Sequence, residues 1–232
     1  MGTDEKKDDT FSIVRHTHKS LTEGLTGIIS SKSQEWFLSI GYLLQRTRAS
    51  DFLATFLKEW GKYREKGRIP DDYLETEQHK ECLQEILDYL DRALPDEITF
   101  NVLKKIFIVA STENLTTRES LLPQHYIRII RKISSGAVLT LSTTYHIFKE
   151  EIAQNICQRC SAIEWLDKIA ERSGLLYPQL VENYEEELIK HKLITDRLNQ
   201  DVQGRIMAEN NRLTSFGLSL CAYIENYEYV AE

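Results

Sequence analysis

Residues 161–222 read SAIEWLDKIAERSGLLYPQLVENYEEELIKHKLITDRLNQDVQGRIMAENNRLTSFGLSLCA. A short apolar stripe over 162–172 (Ile163, Leu166, Ile169, Ala170) has helical spacing and stops at Ser173-Gly174. A second stripe over 178–192 opens on Pro178 and carries Leu180, Val181, Tyr184, Leu188 and Ile189. Leu193-Ile194-Thr195 then leads into a strand, residues 201–211 form a turn region with Gly204 near its tip, and Leu213 ends a return strand. Thr214-Ser215-Phe216-Gly217 caps a last helix running to about residue 229. The order is helix, turn, helix, strand, strand, helix.

Upstream of this stretch the pattern is helical. Residues 137–148 form an apolar helix with Val138, Leu139, Leu141, Tyr145 and Phe148. Residues 1–10 are charged and are expected to be disordered. From Phe11 helical spacing takes over, with Ile13, Leu21, Leu25, Ile28 and Ile29, then Trp36, Phe37, Ile40, Leu43 and Leu44 behind a Ser33 cap. Phe52, Leu53, Phe56, Leu57, Trp60 and Tyr63 continue the stripe until Gly67 and Pro70 end it. A further helix spans about 73–94, with Leu83, Ile86, Leu87 and Leu90 on one side. Pro95-Asp96-Glu97 opens the next, Pro fitting the first turn and the acids its dipole. That helix, 98–110, is apolar nearly all round and should be central. Residues 111–120 read as a polar loop, Pro123 opens another helix, and Ser134-Ser135-Gly136 breaks it. The expected organisation is a tail over 1–10, an all-helical body over 11–134, and a second domain over 135–232.

Composition sets the bounds. The chain has 232 residues, 28% of them charged and 41% hydrophobic, as expected of a globular protein with a real core. The formal net charge is -7, which argues against a protein that coats nucleic acid. The N-terminus has no apolar run of the secretory kind, and no stretch is long and apolar enough for a bilayer. Met1-Gly2 does not continue into a myristoylation motif, because position 6 is Lys6. Four cysteines fit reduced thiols in a cytoplasm.

The C-terminal elements, taken with His191-Lys192-Leu193-Ile194 at the end of the third helix and Leu213-Thr214-Ser215-Phe216-Gly217 after the second strand, resemble the winged helix of MarR-like repressors over roughly residues 136–229. The resemblance implies a mainly α fold: a helical N-terminal body followed by a C-terminal winged helix with a two-stranded wing. It also implies DNA recognition by the third helix. The body, around Pro95-Asp96-Glu97 and Phe100, faintly resembles uncharacterised bacterial helical proteins, some of them encoded near phage-defence genes, and this likeness implies no activity.

The charges oppose the DNA expectation. A reading helix needs Arg, Lys, Gln, Asn or Ser toward phosphates and base edges. The outward positions of PQLVENYEEELIKHK include Glu182, Glu185, Glu186 and Glu187. Residues 135–232 hold 9 Lys+Arg and 15 Asp+Glu, a net of −6, whereas 1–134 hold 20 and 21, a net of −1. Those four glutamates are therefore the candidate interaction face. Gln179, Asn183, Lys190, Arg197, Arg205 and Arg212 are the candidate nucleic-acid contacts. A basic segment, Arg46 to Arg68, interleaves seven cations with Phe52, Phe56, Trp60 and Tyr63. Arg118, Arg128, Arg131 and Lys132 form a second cluster. Single-strand binding uses such aromatics, but a core stripe with a solvated charged face accounts for them.

Motifs for chemistry are sparse. Cys157-Gln158-Arg159-Cys160 lacks the second ligand pair of a zinc site and the α/β setting of a redox motif. His16 and His18 point to different sides of a helix, and His79, His125 and His191 are scattered. No GxSxG, phosphate loop or HExxH occurs, and Asp71-Asp72 or Asp88 and Asp91 mark nothing alone. The expectation is a cytoplasmic, bacterial, non-enzymatic protein without catalytic residues, cofactor or metal. It would act as a regulatory or protein-interaction module with a protein partner. A winged-helix transcriptional regulator is the alternative. The apolar load of residues 36–63 leaves self-association open, and no membrane association is expected.

Overall fold

The computed structural model describes residues 47–70, 72–73, 76–92, 95–113, 121–153, 162–196, 198–200, 206–208 and 212–228. The expected helices before residue 47, the basic residue Arg118, and Cys157 and Cys160 lie outside them. The fold is mainly helical. In chain order the elements are α1 (Thr47–Glu65), α2 (Glu77–Arg92), α3 (Glu97–Thr112), α4 (Leu121–Ile130), α5 (Ser135–Ala153), α6 (Ala162–Ser173), α7 (Pro178–Lys190), β1 (Leu198–Gln200), β2 (Ile206–Ala208) and α8 (Ser215–Glu225). The described chain divides into two compact units. The first includes α1, α2 and residues 110–124; the second comprises 96–109 and 125–228.

In the first unit, α1 buries Leu53, Phe56, Leu57, Trp60 and Tyr63, and α2 buries Cys82, Leu83, Ile86, Leu87 and Leu90. Phe56, Trp60 and Tyr63 are core, so these rings offer no stacking platform to a single strand. Trp60 donates its indole N–H to Ser111 Oγ at 3.4 Å. His79 is buried beside Tyr73 in an edge-on contact at 5.1 Å, and burial pushes the Tyr73 hydroxyl well above its ordinary pKa. The left-handed Gly67 ends α1 with bonds from Gly67 N–H to Arg64 O and from Arg68 N–H to Tyr63 O. Thr76 caps α2 by accepting from His79 N–H at 3.1 Å.

In the second unit Asp96 caps α3, accepting from Thr99 N–H at 2.8 Å, so Pro95 precedes the cap and does not occupy the first turn. α4 starts two residues before Pro123, and α5 extends past 148 to Ala153. α5, α6 and α7 enclose a core of Ile147, Trp165, Ile169, Ala170 and Val181, with Leu166 and Leu175 packed against it. α8 packs on α4 through Tyr126, whose hydroxyl is 2.7 Å from Ser219 Oγ and whose ring meets Phe216 and Tyr223.

Between α7 and α8 the chain makes an antiparallel bridge, Ile194 to Leu213, and β1 pairs with β2 in the register Leu198–Ala208, Asn199–Met207, Gln200–Ile206. α7 ends on Lys192 in the left-handed region. Lys192 N–H bonds Ile189 O at 2.9 Å and Leu193 N–H bonds Leu188 O at 3.0 Å, while Leu188 and Leu193 are both buried. This double closure with an apolar contact turns the chain sharply into the bridge. Thr214 then caps α8, accepting from Gly217 N–H at 2.9 Å and donating to Lys192 O at 2.7 Å.

Candidate functional site: the α6–α7 corner

The backbone of the corner follows from three residues. Gly174, at a left-handed φ of 73, ends α6. Pro178 starts α7 where its missing N–H costs nothing, and the N-cap Tyr177 contributes no side-chain cap. Two residues separate Gly174 from that cap, and both are leucines.

The inner side of α7 carries Val181, Glu185 and Leu188, all buried. Glu185 was expected to face outward. It is instead 4% exposed, because it falls on the i, i+4, i+7 stripe with Val181 and Leu188. A buried carboxylate needs partners. Trp165 of α6 donates its indole N–H to Glu185 Oε1 at 2.7 Å, and the Arg212 guanidinium lies 3.0 Å from Glu185 Oε2. Arg212 also donates to the carbonyl of Thr195, while Thr195 N–H donates back to Arg212 O at 2.7 Å. Arg212, expected as a nucleic-acid contact, is committed to the interior. The carboxylate and guanidinium together tie α6, α7 and the bridge strand into one assembly.

Glu187 is also engaged. It accepts from Ser134 N–H at 2.8 Å and from the Ser134 hydroxyl at 2.6 Å, while Ser134 Oγ accepts from Ala137 N–H at the start of α5. Two of the four candidate interface glutamates are therefore structural ties. Glu182 and Glu186 remain exposed on α7, together with Gln179, Asn183 and Lys190. Arg197 and Arg205 lie outside the described residues.

Sequence reasoning missed the apolar part of the corner. Leu176 is 84% exposed, Tyr177 61% and Leu180 38%. An open, shallow hollow beside them is lined by Asp167, Glu171, Gly174, Leu175, Leu176 and Pro178. The helical stripe counted Leu180 as core, and the turn residues Leu176 and Tyr177 belong to no stripe. A useful signal would have been Leu-Leu-Tyr in a turn, where polar residues are usual.

A second concavity of about 280 Å³ has Val102, Ile130 and Leu141 among its lining, and Lys105, Tyr145 and Glu225 as polar members. Three of its polar groups, Lys105, Tyr145 and Glu225, are already engaged. Glu225 accepts from Tyr145 O–H at 2.8 Å and from Lys149 Nζ at 2.6 Å, and Lys105 lies 5.5 Å from the centre of the Tyr227 ring. Burial, then the Glu225 carboxylate, pushes the Tyr145 hydroxyl up to about 12. Burial also raises the nearby Cys221 thiol to about 12, so it is not an activated nucleophile. Hydrogen bonds from Lys149 and Tyr145 hold Glu225 below the ordinary carboxylate value.

Among the described residues no group of three or more His, Cys, Asp or Glu is placed to hold a metal, and no helix is long and apolar enough to cross a membrane. The chain matches no family model, no curated protein and no solved structure.

Proposed function

We propose that residues 135–232 form a winged helix, with β1 and β2 as its wing, and that the protein is a regulatory or scaffolding module that binds another protein through the α6–α7 corner. The element order, the Ile194–Leu213 bridge and the Thr214 cap support the fold reading. A cytoplasmic, non-enzymatic role completes it.

One observation carries the functional reading. The exposed side of α7 presents Gln179, Leu180, Glu182, Asn183 and Glu186 before its first cation, Lys190. A helix laid in the major groove runs between two rows of phosphates, so these two carboxylates would enter at close range without a counter-charge. The inward commitment of Arg212 removes one more cation from that surface. Apolar side chains at the same end suit a protein partner, whose interface centres favour Tyr and large apolar groups.

The alternative, a DNA-binding regulator of winged-helix type, draws on exposed Gln179 and Asn183, which could pair with adenine edges, and on Arg197 and Arg205. A mobility-shift assay on mixed duplexes separates the two. At a salt concentration of about 50 mM, where phosphate contacts are strongest, no shift is expected. A shift that disappears in Arg197→Ala/Arg205→Ala would establish the alternative.

A further inference from the structure

Six large apolar side chains are exposed among the described residues, and three of them, Leu176, Tyr177 and Leu180, fall within five consecutive positions. The other three, Ile98, Leu121 and Leu122, lie elsewhere in the chain. Scattered exposed leucines need no explanation, whereas three large apolar side chains in one short stretch, the first of them lining a hollow, are the pattern of a contact surface. Among the described residues the Tyr177 side chain has no hydrogen bond, so this ring, polar at one end, is available to a partner.

The charges beside the cluster decide what the partner is. Asp167 and Glu171 line the hollow, one helical turn apart on α6. Glu182 and Glu186 are exposed one turn apart on α7. None of the four has a salt bridge or side-chain hydrogen bond among the described residues. The acids used by the fold behave differently: Glu185 holds Arg212, Glu187 holds Ser134, Glu225 holds Lys149 and Glu150 holds Arg172. Arg172, the exposed cation nearest in sequence to Gly174, is therefore already neutralised. Lys168 and Lys190 are the other cations of these two helices, and the four carboxylates outnumber them, so the charge beside the apolar residues is net negative, which disfavours nucleic acid and anionic lipid and favours cations.

We propose that the α6–α7 corner docks a basic amphipathic segment of a partner protein. Apolar side chains of that segment cover Leu176, Tyr177 and Leu180, and its Lys or Arg side chains face Asp167, Glu171, Glu182 and Glu186. This rests on the protein-interaction reading and adds the chemistry of the partner. Apolar contact supplies most of the affinity; the acids set the sign of the partner and speed its approach.

The test uses the full chain and a labelled synthetic peptide of Leu and Lys at amphipathic helical spacing, with its Leu/Glu counterpart as control. Anisotropy titrations should show saturable binding of the Leu/Lys peptide only, weakening as salt rises. Leu176→Ser/Leu180→Ser should weaken it by about tenfold or more, the scale of a lost buried apolar anchor. Glu182→Lys/Glu186→Lys should weaken it and remove the salt dependence. Leu121→Ser should leave it unchanged, and circular dichroism should show all variants folded. Absence of saturable binding, equal binding of the Leu/Glu peptide, or binding indifferent to both double substitutions would overturn the proposal. So would light scattering that finds a dimer converted to monomer by Leu176→Ser/Leu180→Ser, because the occupant would then be a second copy of the chain. A failed peptide titration with no DNA shift removes this proposal alone, whereas a wing-dependent DNA shift removes the broader reading.

Discussion

The two sides of α7 carry the same residue type for opposite ends. Glu185 and Glu186 are neighbours in sequence, yet one is closed in by Trp165 and Arg212 and the other is exposed. A helical step of about 100° separates a structural carboxylate from a surface one. Net acidity, counted along the helix, treats them alike. The difference teaches that a charged face must be counted after the inward stripe has been subtracted. With Glu185 and Glu187 removed, the outer charge is smaller, and the apolar Leu176, Tyr177 and Leu180 become its dominant feature.

The strongest way to break this comparison is to remove the inner partner. Arg212→Ala leaves Glu185 buried without its counter-charge and should cost about 3–5 kcal/mol in urea unfolding. Glu185→Leu/Arg212→Met removes both charges and should recover most of that loss, since an apolar pair of similar volume replaces a desolvated one. If the double substitution is as damaging as the single one, the tie does not work as an ion pair.

Next comes the framework into which that tie is set. A Cβ on Gly217 would run into the backbone carbonyl of Leu193, which cannot rotate away. Gly217→Ala should therefore cost about 1–3 kcal/mol, read from the shift in denaturation midpoint. Gly136 differs, because there the Cβ would meet the Tyr184 ring, a side chain able to give way.

The smallest effect concerns acid. Glu225 is held below its ordinary value first by Lys149 and then by Tyr145, so the folded state binds its proton less readily than the unfolded chain. Its contribution is complete above the ordinary carboxylate range and is lost as pH falls through the depressed folded value. Because this carboxylate is largely exposed, the effect is small. Glu225→Gln should flatten part of the acid-side decline in thermal midpoint.

Much of the fold was legible. Ser173-Gly174, Pro178 and Thr214-x-x-Gly217 mark three helix boundaries because each does something only that residue type does well: left-handed φ, a dispensable N–H, a hydroxyl cap. The candidate site was legible only in outline. Glu185 could have been placed from Val181 and Leu188 by period alone, but its partner Arg212 lies 27 positions away and no local pattern announces it. Lys192 is a similar case. The left-handed end of α7 is occupied by a residue that carries no glycine signal, and closure of Leu193 onto Leu188 holds it there. Leu176 and Tyr177 escaped notice because periodicity describes faces of helices and has nothing to say about a turn.

The central claim, that one helix divides its glutamates between the interior and a partner surface, meets its most direct test in a single pair of urea unfolding curves. Glu185→Lys places a second cation against Arg212 in a buried site and should lose about 3–5 kcal/mol. Glu186→Lys, one residue along, should stay within about 0.5 kcal/mol of the parent, as exposed substitutions do. Equal losses, or a larger loss at position 186, would contradict the division of the helix on which the account rests.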